Sequence, residues 1–224
     1  MTLLGEEAQH AVRVKRVEAG ESVEVLDGRG NVGEGEVIET GKRGREFVMS
    51  IRLSRVRQAE AIRPRVVVLS ATPKGSRVDE LIDQLSQAGA AEWSPLETER
   101  AVVDPRETKL HRLERVAREA SKQCGRAWAM TIGPKHPLAR ALQADGRTLV
   151  VVADAAGEPF SRGVLADRAE VRLLVGPEGG FTGAEIEQAR KAGAAVVSFG
   201  PHAMRIETAA VVGTGTIMAT AGRG

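Results

Sequence analysis

Two glycine-containing segments carry the clearest chemical signal in the sequence. The first, LLVGPEGGFTGAE, spans Leu173 to Glu185. Its centre holds three glycines, a proline and a carboxylate in five positions: Gly176, Pro177, Glu178, Gly179 and Gly180. Thr182 and Glu185 then form a capping box, which predicts a helix start. Because open α/β sheets bind ligands at the carboxyl ends of their strands, and glycine lets a ligand approach the backbone, we predict a ligand-binding loop. An ordinary strand-to-helix connection is the alternative.

The second segment, SFGPHAMRIETA, runs from Ser198 to Ala209 and repeats this arrangement. A buried-type strand breaks at a Gly-Pro pair, and a helix follows. Two such loops at one edge of a sheet predict a shared site for one cofactor. Glu207 has a structural explanation, because an acid near a helix N-terminus is favourable. Arg205 gains nothing from the helix dipole and is therefore the stronger candidate for chemistry.

A third glycine pattern, Gly28 to Gly33, matches the GxGxxG motif of dinucleotide-binding loops. That motif needs a helix after it, so that the pyrophosphate meets a helix N-terminus. Here GEGEVIET follows, and its alternation of apolar and polar residues is typical of a strand. We therefore predict a hairpin turn at these glycines.

The stretch from residue 42 to 57 is strongly basic, with Glu46 as its lone acid. Its cations are Lys42, Arg43, Arg45, Arg52, Arg55 and Arg57. A solvated strand face explains such a run, because charged residues keep a sheet edge soluble. The other interpretation is contact with RNA phosphates, together with Arg13, Lys15 and Arg16, which would give salt-sensitive affinity.

Composition excludes several classes of protein. Tyr is absent and the aromatic content is 3%, which argues against a base-stacking platform. The 32 basic and 30 acidic residues leave a net charge of +2, which excludes a polycation. The single cysteine, Cys124, excludes an internal disulfide and a cysteine-based zinc site, so we expect no metal. No leader pattern opens the chain and no apolar run approaches the ~20 residues of a membrane span, so we expect a cytoplasmic protein.

Hydrophobic periodicity divides the chain into two parts. Residues 1–63 favour short alternating strands, typical of a small β-barrel, at Ser22 to Asp27, Gly35 to Thr40 and Glu46 to Leu53. Residues 64–224 alternate strands and helices, which predicts an α/β domain with a mainly parallel sheet. Its predicted strands are Arg65 to Ala71, Thr148 to Ala155, Val171 to Gly176 and Ala194 to Gly200. Its predicted helices run from Val78 to Ala88, from about Lys109 to Arg126, from Thr182 to about Ala192, and from Glu207 to about Thr220.

These motifs resemble a known family. LLVGPEGGFTGAEI with SFGPHAMRIETA resembles the paired C-terminal motifs of the RsmE family, the 16S ribosomal RNA uracil-N3 methyltransferases of the SPOUT superfamily. Three upstream segments, ATPKGSRVDELIDQLSQAG, ETERAVV and REASKQCGR, are similar to that family's central segments. HAVRVKRVEAGESVEVLDGRG is similar to its PUA-like, RNA-binding barrel, and the chain begins at what resembles the second strand of that barrel.

The resemblance implies a fold that the spacing alone does not reveal. Residues 64–224 would form a SPOUT methyltransferase domain with a C-terminal trefoil knot, preceded by a PUA-like barrel at 1–63. S-adenosylmethionine would lie bent in the knot, and a homodimer would complete the site. The implied cofactor residues are Leu174, Val175, Gly176, Pro177, Glu178, Gly179, Gly180, Ser198, Phe199, Gly200, Met204 and Arg205. Apolar Leu174, Phe199 and Met204 would suit the adenine.

The resemblance also implies a partner, the 16S rRNA of the small ribosomal subunit. The residues expected to contact RNA are His10, Arg13, Arg16, Lys42, Arg43, Arg45, Lys74, Arg77, Glu119, Gln123 and Arg126. Two positions depart from the family pattern: His202 stands where Arg is expected, and Gln9 where a second His is expected. The outward cations of the helix from about Lys109 to Arg126 are equally well explained as a solvated helix face.

The implied reaction transfers a methyl group in line from a sulfonium to N3 of an unpaired or extruded uridine. Arg205 is expected to stabilise negative charge on the uracil carbonyls or to grip a neighbouring phosphate. Glu178 is a candidate base, with a structural or ribose-binding role as the alternative. Two rival functions stay open at this point: methylation of a ribose 2′-hydroxyl, and a cofactor-free RNA-binding or ribosome-assembly protein of the same fold.

Overall fold

A computed structural model of the chain describes residues 1–103, 107–165 and 168–222, with the side chains of 107–109 left aside. The chain forms two compact units. One contains Met1–Glu60 with Gly125–Trp128, and the other contains Ala61–Cys124 with Ala129–Gly224. The sequence-based division at residue 63 placed Gly125–Trp128 in the second domain, whereas the structure groups them with the first unit. Backbone contacts explain this, because Gly30 donates to the carbonyl of Ala127 at 2.8 Å.

The first unit is built on an antiparallel sheet of four strands. These are β1 (Thr2–Leu4), β2 (Ser22–Leu26), β3 (Asn31–Arg43) and β4 (Glu46–Gln58), paired in the order β1-β4-β3-β2. A short helix, α1 (Gly5–Gln9), and a π-helical turn at His10–Val14 follow β1. Ala8, Val37, Met49 and Ile51 form the buried core of this unit. The predicted strands after Ser22 are confirmed, but β1 and α1 are too short to give a periodic signal and were not predicted.

The GxGxxG segment is the turn between β2 and β3, as predicted. Leu26 pairs with Val32 across the antiparallel hairpin. Asp27 closes the turn, because its Oδ1 accepts from the backbone N–H of Arg29 at 2.7 Å and its Oδ2 accepts from Asn31 Nδ2 at 2.7 Å. These hydrogen bonds, led by the one from the Asn31 side chain, lower the pKa of the Asp27 carboxyl.

The second unit contains a seven-stranded sheet in which every recorded pairing is parallel. Its strands are β5 (Arg65–Ser70), β6 (Glu92–Glu97), β7 (Thr131–Ile132), β8 (His136–Pro137), β9 (Thr148–Pro159), β10 (Glu170–Val175) and β11 (Ala195–Ser198). The order is β11-β9-β10-β5-β6-β7, and β8 pairs with β6. The predicted α/β class with a parallel sheet is confirmed.

In the part of this unit that the structure describes, six helices accompany the sheet. They are α2 (Arg77–Ala88), α3 (Glu107–Gln123), α4 (Leu138–Ala141), α5 (Arg162–Leu165), α6 (Gly183–Lys191) and α7 (Ile206–Ala221). The predicted capping box of α6 is present: Glu185 N–H donates to Thr182 Oγ1 at 3.3 Å, and Thr182 N–H donates to Glu185 Oε2 at 2.8 Å. Helix α2 ends at Gly89, whose φ of 99° is the left-handed conformation that glycine tolerates. In the described ranges, no helix is both long and apolar enough to span a bilayer.

The sheet separates two hydrophobic cores, because successive side chains of a strand point to opposite faces. On β10, Leu173 and Val175 belong to one core and Leu174 to the other, and all three side chains are buried. The core that holds Leu173 also contains Trp93, whose indole N–H donates to Ser70 Oγ at 2.9 Å. The sheet is therefore covered on both faces, which explains why its central strands read as continuous apolar runs.

Strands β9 and β11 approach each other unusually closely. Strand β9 continues to Pro159, beyond the predicted end at Ala155, and its register with β11 shifts between Val196 and Val197. A Cβ atom added at Gly157 would lie 2.7 Å from the backbone of Val197. Glycine is therefore required at this position, and the approach brings the carboxyl end of β11 beside the extended end of β9.

We expect Gly157→Ala to destabilise the second unit by about 1 to 3 kcal/mol, because the new methyl group must displace backbone atoms. Urea unfolding of the whole protein measures the change. Gly146→Ala is the matched control, since a Cβ there meets nothing within 4 Å and the residue does not need a positive φ. Equal unfolding midpoints for the two variants would contradict this account of the β9–β11 contact.

Candidate functional site

A cavity of about 280 Å³ lies at the carboxyl ends of β9, β10 and β11. Both glycine-containing loops contribute to its wall. Nine of the predicted cofactor residues line it: Val175, Gly176, Pro177, Glu178, Gly180, Ser198, Phe199, Gly200 and Met204. The two motifs therefore meet at one edge of the sheet, as the topology of parallel strands predicts.

Three predicted cofactor residues do not line this cavity. Leu174 is fully buried in the core on the opposite face of the sheet, because it alternates with Val175 along β10. Gly179 is not among the lining residues, and its carbonyl accepts a hydrogen bond from Arg100 Nη1 at 2.6 Å. Arg205 is exposed at the start of α7, although its neighbours Met204 and Ile206 both contribute to the wall.

The first loop is a tight turn held at both ends. The N–H of Gly180 donates to the carbonyl of Pro177 at 2.8 Å, and Gly180 has a φ of +67°, which favours glycine. A Cβ at Gly176 would lie 3.1 Å from the ring of Phe181, so a larger residue would press on that ring. Beyond the loop, Glu185 Oε1 accepts from the N–H of Glu99 at 2.8 Å. The start of α6 is thus tied to the segment that follows β6.

The second loop supplies an apolar wall. The ring of Phe199 stacks on that of Phe160 with centroids 5.0 Å apart. Gly213 on α7 makes room for this ring, because a Cβ there would lie 3.3 Å from Phe199 and 2.8 Å from Leu173. Met204, Ile206 and Ala209 continue the same wall. One side of the cavity is therefore suited to a flat apolar group.

A partly exposed network of charges connects the first loop to the start of α7. Arg77, in the first turn of α2, reaches Glu207 Oε1 on α7 with Nη1 at 3.4 Å and Glu178 Oε1 with Nη2 at 3.7 Å. The side chain of Glu207 is only 13% exposed, and its Oε2 has no hydrogen-bond partner among the described residues. Arg77 is predicted to contact RNA, and in the structure its guanidinium lies within 4 Å of both carboxylates. The sequence did not predict these ion pairs, because Arg77 is far along the chain from Glu178 and Glu207.

The stretch of β9 from Ala153 to Ala156 is a part of the wall that the sequence did not predict. These four residues line the cavity, and Asp154 Oδ1 accepts from the N–H of Ala156 at 2.8 Å. Their position beside β10 was the available signal, because Ala153 pairs with Val175 at the carboxyl end of β10. Phe181, Ala203, Ile206 and Ala209 were also missed as lining residues. His202, which departs from the family pattern, lines the cavity as well.

The predicted RNA-contacting residues fall on both units. In the first unit, six of them are exposed: His10, Arg13, Arg16, Lys42, Arg43 and Arg45. Two of these cations make cation–π contacts with the ring of Phe47. Lys42 Nζ lies 4.6 Å and the Arg13 guanidinium 5.8 Å from the ring centroid. Farther along the same basic stretch, Arg57 is paired with Glu24 at 3.3 Å and with Glu34 at 3.7 Å. Arg13 and Lys42 thus form a cationic cluster around Phe47, beside the β3–β4 turn.

The remaining residues that are predicted to contact RNA differ in their exposure and in their partners. Lys74 is exposed in the loop before α2, and Gln123 is exposed at the end of α3. Glu119 pairs with Lys122 at 2.9 Å on the solvent side of that helix, as expected of a solvated face. Arg126 is half-buried and belongs to the first unit rather than to the end of α3. The predicted set therefore does not form one continuous surface on one unit.

Comparison with known proteins assigns both units to described domains. Residues 61–218 match the family model of an RNA methyltransferase domain, and residues 3–47 match that of an RNA methyltransferase PUA domain. The Ribosomal RNA small subunit methyltransferase E of Mycobacterium bovis is 30% identical over 223 residues, which cover 95% of this chain and 84% of that protein.

Solved structures resemble the chain over almost its full length. A protein from Porphyromonas gingivalis named "probable rRNA-methyltransferase" superposes with a TM-score of 0.83 at 26% identity, covering 96% of this chain and 91% of that one. A Ribosomal RNA small subunit methyltransferase E from Neisseria gonorrhoeae, bound to S-adenosyl methionine, has the same fold, with a TM-score of 0.83 at 20% identity and coverage of 98% and 92%. On the match at residues 61–218 and the mycobacterial relative, this chain belongs to the RNA methyltransferase family that includes the ribosomal RNA small subunit methyltransferases E.

Proposed function

We propose that this protein transfers a methyl group from S-adenosylmethionine to N3 of a uridine in 16S ribosomal RNA of the small subunit. The observation that carries the proposal is the cavity at the ends of β9, β10 and β11, which lies within the RNA methyltransferase domain. The names of the relatives support rRNA of the small subunit as the substrate. Such a substrate would place the activity in the cytoplasm.

The residues of the cavity fit S-adenosylmethionine. Phe199 and Met204 offer an apolar wall for the adenine, and Gly176 and Gly180 of the first loop let a ligand approach the backbone closely. Asp154 and Glu178 place two carboxylates on the wall, which suits a ligand that carries a sulfonium, an ammonium and ribose hydroxyls. When bound, the cofactor supplies an electrophilic methyl group on its sulfur.

The chain's own residues then have to position the uracil and stabilise its charge. A uridine that loses its N3 proton becomes an anion, and a fixed cation lowers the energy of that state. Arg205 is exposed between two cavity-lining residues, so its guanidinium is placed to meet a base that enters from outside. We assign Glu178 to the cofactor side, because it is already engaged with Arg77.

The same family relationship supports a trefoil knot and a homodimer as parts of the proposal. The close contact of Gly157 with Val197 is consistent with a tightly threaded C-terminal segment. Helix α7 carries no charge from Thr208 to Ala221, and Val212 and Thr216 on it are half-buried. We propose that this helix packs against a second copy, and light scattering of the purified protein measures the stoichiometry.

The reaction itself is tested with small subunits from a strain that lacks the enzyme. Incubation with S-adenosylmethionine labelled on its methyl group is expected to place the label in 3-methyluridine, as measured after digestion of the rRNA to nucleosides. Label in 2′-O-methyl nucleosides would contradict the choice of N3. Failure of the protein to bind the cofactor would exclude both methyltransferase functions and favour an RNA-binding or assembly role.

Arg205→Ala is expected to lower kcat by about 10² to 10³, as for removal of one group that stabilises transition-state charge. The Kd for S-adenosylmethionine should stay within about twofold, because the side chain does not line the cavity. Single-turnover methylation and calorimetric titration of the cofactor measure the two quantities. Arg190→Ala, which removes an exposed arginine at the end of α6, is the control. Full activity in Arg205→Ala would remove this residue from the mechanism.

Arg77→Ala is expected to weaken cofactor binding about tenfold, equivalent to about 1.4 kcal/mol, because it releases both loops and leaves Glu207 unpaired. Calorimetric titration gives the Kd, and thermal unfolding reports any loss of stability. Arg112→Ala is the matched control, since it removes an ion pair between α3 and Asp79 of α2 without touching either loop. Cofactor affinity equal to that of the Arg112→Ala variant would show that Arg77 does not order the site.

A further inference from the structure

The second unit has another cavity, on one face of its sheet. It measures about 250 Å³, and its wall includes alternate residues of three strands from their amino ends onward: Arg65, Val67 and Leu69 of β5, Glu92 and Ser94 of β6, and Glu170 and Arg172 of β10. It shares no lining residue with the cavity at the carboxyl ends of the strands. This cavity is therefore distinct from the one that we assign to the cofactor.

Charged side chains dominate its wall, and the acidic ones are already paired. Arg65 donates to Glu92 Oε2 at 2.5 Å and to Glu170 Oε2 at 2.8 Å. Arg172 Nε donates to Glu170 Oε1 at 3.1 Å and its Nη1 donates to the carbonyl of Gln143. The carboxylates are thus occupied by Arg65 and Arg172, which argues against a site for a metal cation or an amine.

Besides the neutral hydroxyl of Ser94, the remaining polar side chains of the wall are a cation and a histidine that can become one. Arg140 on α4 and His136 on β8 both line the cavity, and within the described ranges neither side chain has a recorded hydrogen bond or ion pair. Three arginines and two glutamates give the wall a net charge of +1 before His136 is counted. Val67, Leu69 and Ala141 form an apolar floor, so an ion bound here would be partly shielded from water.

The pKa of the His136 imidazole responds to its burial and to the charges around it. Burial lowers its pKa first, and the charges of Arg140 and Arg172 lower it further, while Glu92 acts in the opposite direction. Arg65 of β5 and Glu170 of β10 are the other charged groups of the wall, and they pair with each other. Besides burial, two arginines thus disfavour the protonated imidazole, and one glutamate favours it.

We propose that this cavity binds a phosphate group, held by the guanidinium of Arg140 and the imidazole of His136. A guanidinium presents parallel N–H donors that match two oxygens of a phosphate, and a protonated imidazole donates from both ring nitrogens. The phosphate is either that of an RNA backbone or a free phosphate or phosphomonoester. The proposal does not depend on the methyl-transfer reaction.

Binding of such an anion must be linked to protonation of His136. An anion favours the charged imidazole, so bound phosphate raises the pKa of His136 from its lowered value, and affinity falls as the pH rises through that pKa. The chain has four histidines, so the ring signals can be resolved by NMR and that of His136 identified with His136→Gln. Chloride at equal ionic strength controls for general screening.

The first experiment titrates the folded protein with inorganic phosphate while the His136 ring signal is followed against pH. We expect the midpoint to rise by about half a unit or more in phosphate relative to chloride. Arg140→Gln should abolish this rise, and Arg190→Gln, which removes the same charge from an exposed site on α6, should leave it unchanged. These outcomes would support the site for free phosphate.

The second experiment separates the two sources of the phosphate. Binding of a small-subunit rRNA fragment is measured over a range of salt concentrations for Arg140→Gln and Arg190→Gln. If an RNA phosphodiester is the occupant, Arg140→Gln weakens binding and reduces the salt slope by about one, and Arg190→Gln does not. The proposal is overturned if phosphate leaves His136 at its chloride midpoint and the two variants bind RNA alike.

Discussion

The meeting of three parallel strand ends is the constraint on which the rest of the second unit depends. Strands β9, β10 and β11 are neighbours in the sheet and end at one edge, so the segments that leave them must share a small volume. The contact between Gly157 and the backbone of Val197 is a close approach of two main chains within this arrangement. Any larger residue there would separate β9 from β11 and open the wall of the cavity. The glycines at this edge are therefore needed for two reasons. They let the backbones pack closely, and they leave room for a ligand.

Ion pairs and caps hold the loops that emerge from this edge. The capping box of Thr182 and Glu185 starts α6 directly after the first loop, and Glu185 also accepts from the backbone of Glu99. Arg77 connects the first loop to the start of α7 through Glu178 and Glu207. Glu207 alone would be a poorly solvated charge, and the positive end of the α7 dipole with Arg77 offsets that cost. Several elements therefore have to be in place before the cavity has its shape.

Sequence patterns predicted much of this arrangement, and the exceptions have physical causes. Apolar runs identified β5, β9 and β10 because both faces of the sheet are covered, and the Thr182 cap identified the start of α6. Strand β6 was missed because Pro95 interrupts its pattern. Leu174 was placed with the adenine, but a one-residue step along β10 turns its side chain to the other core. Arg77 and the end of β9 were not assigned to the site because only tertiary structure brings them to it.

The central claim is that the segments at the carboxyl ends of β9, β10 and β11 form one binding site for S-adenosylmethionine. Hydrogen exchange of the backbone amides, followed by mass spectrometry with and without the cofactor, tests this directly. The account predicts that protection on cofactor binding is concentrated in peptides that contain residues 153–156, 176–181 and 199–206. Protection that falls elsewhere, or exchange that is unchanged at saturating cofactor, would contradict it.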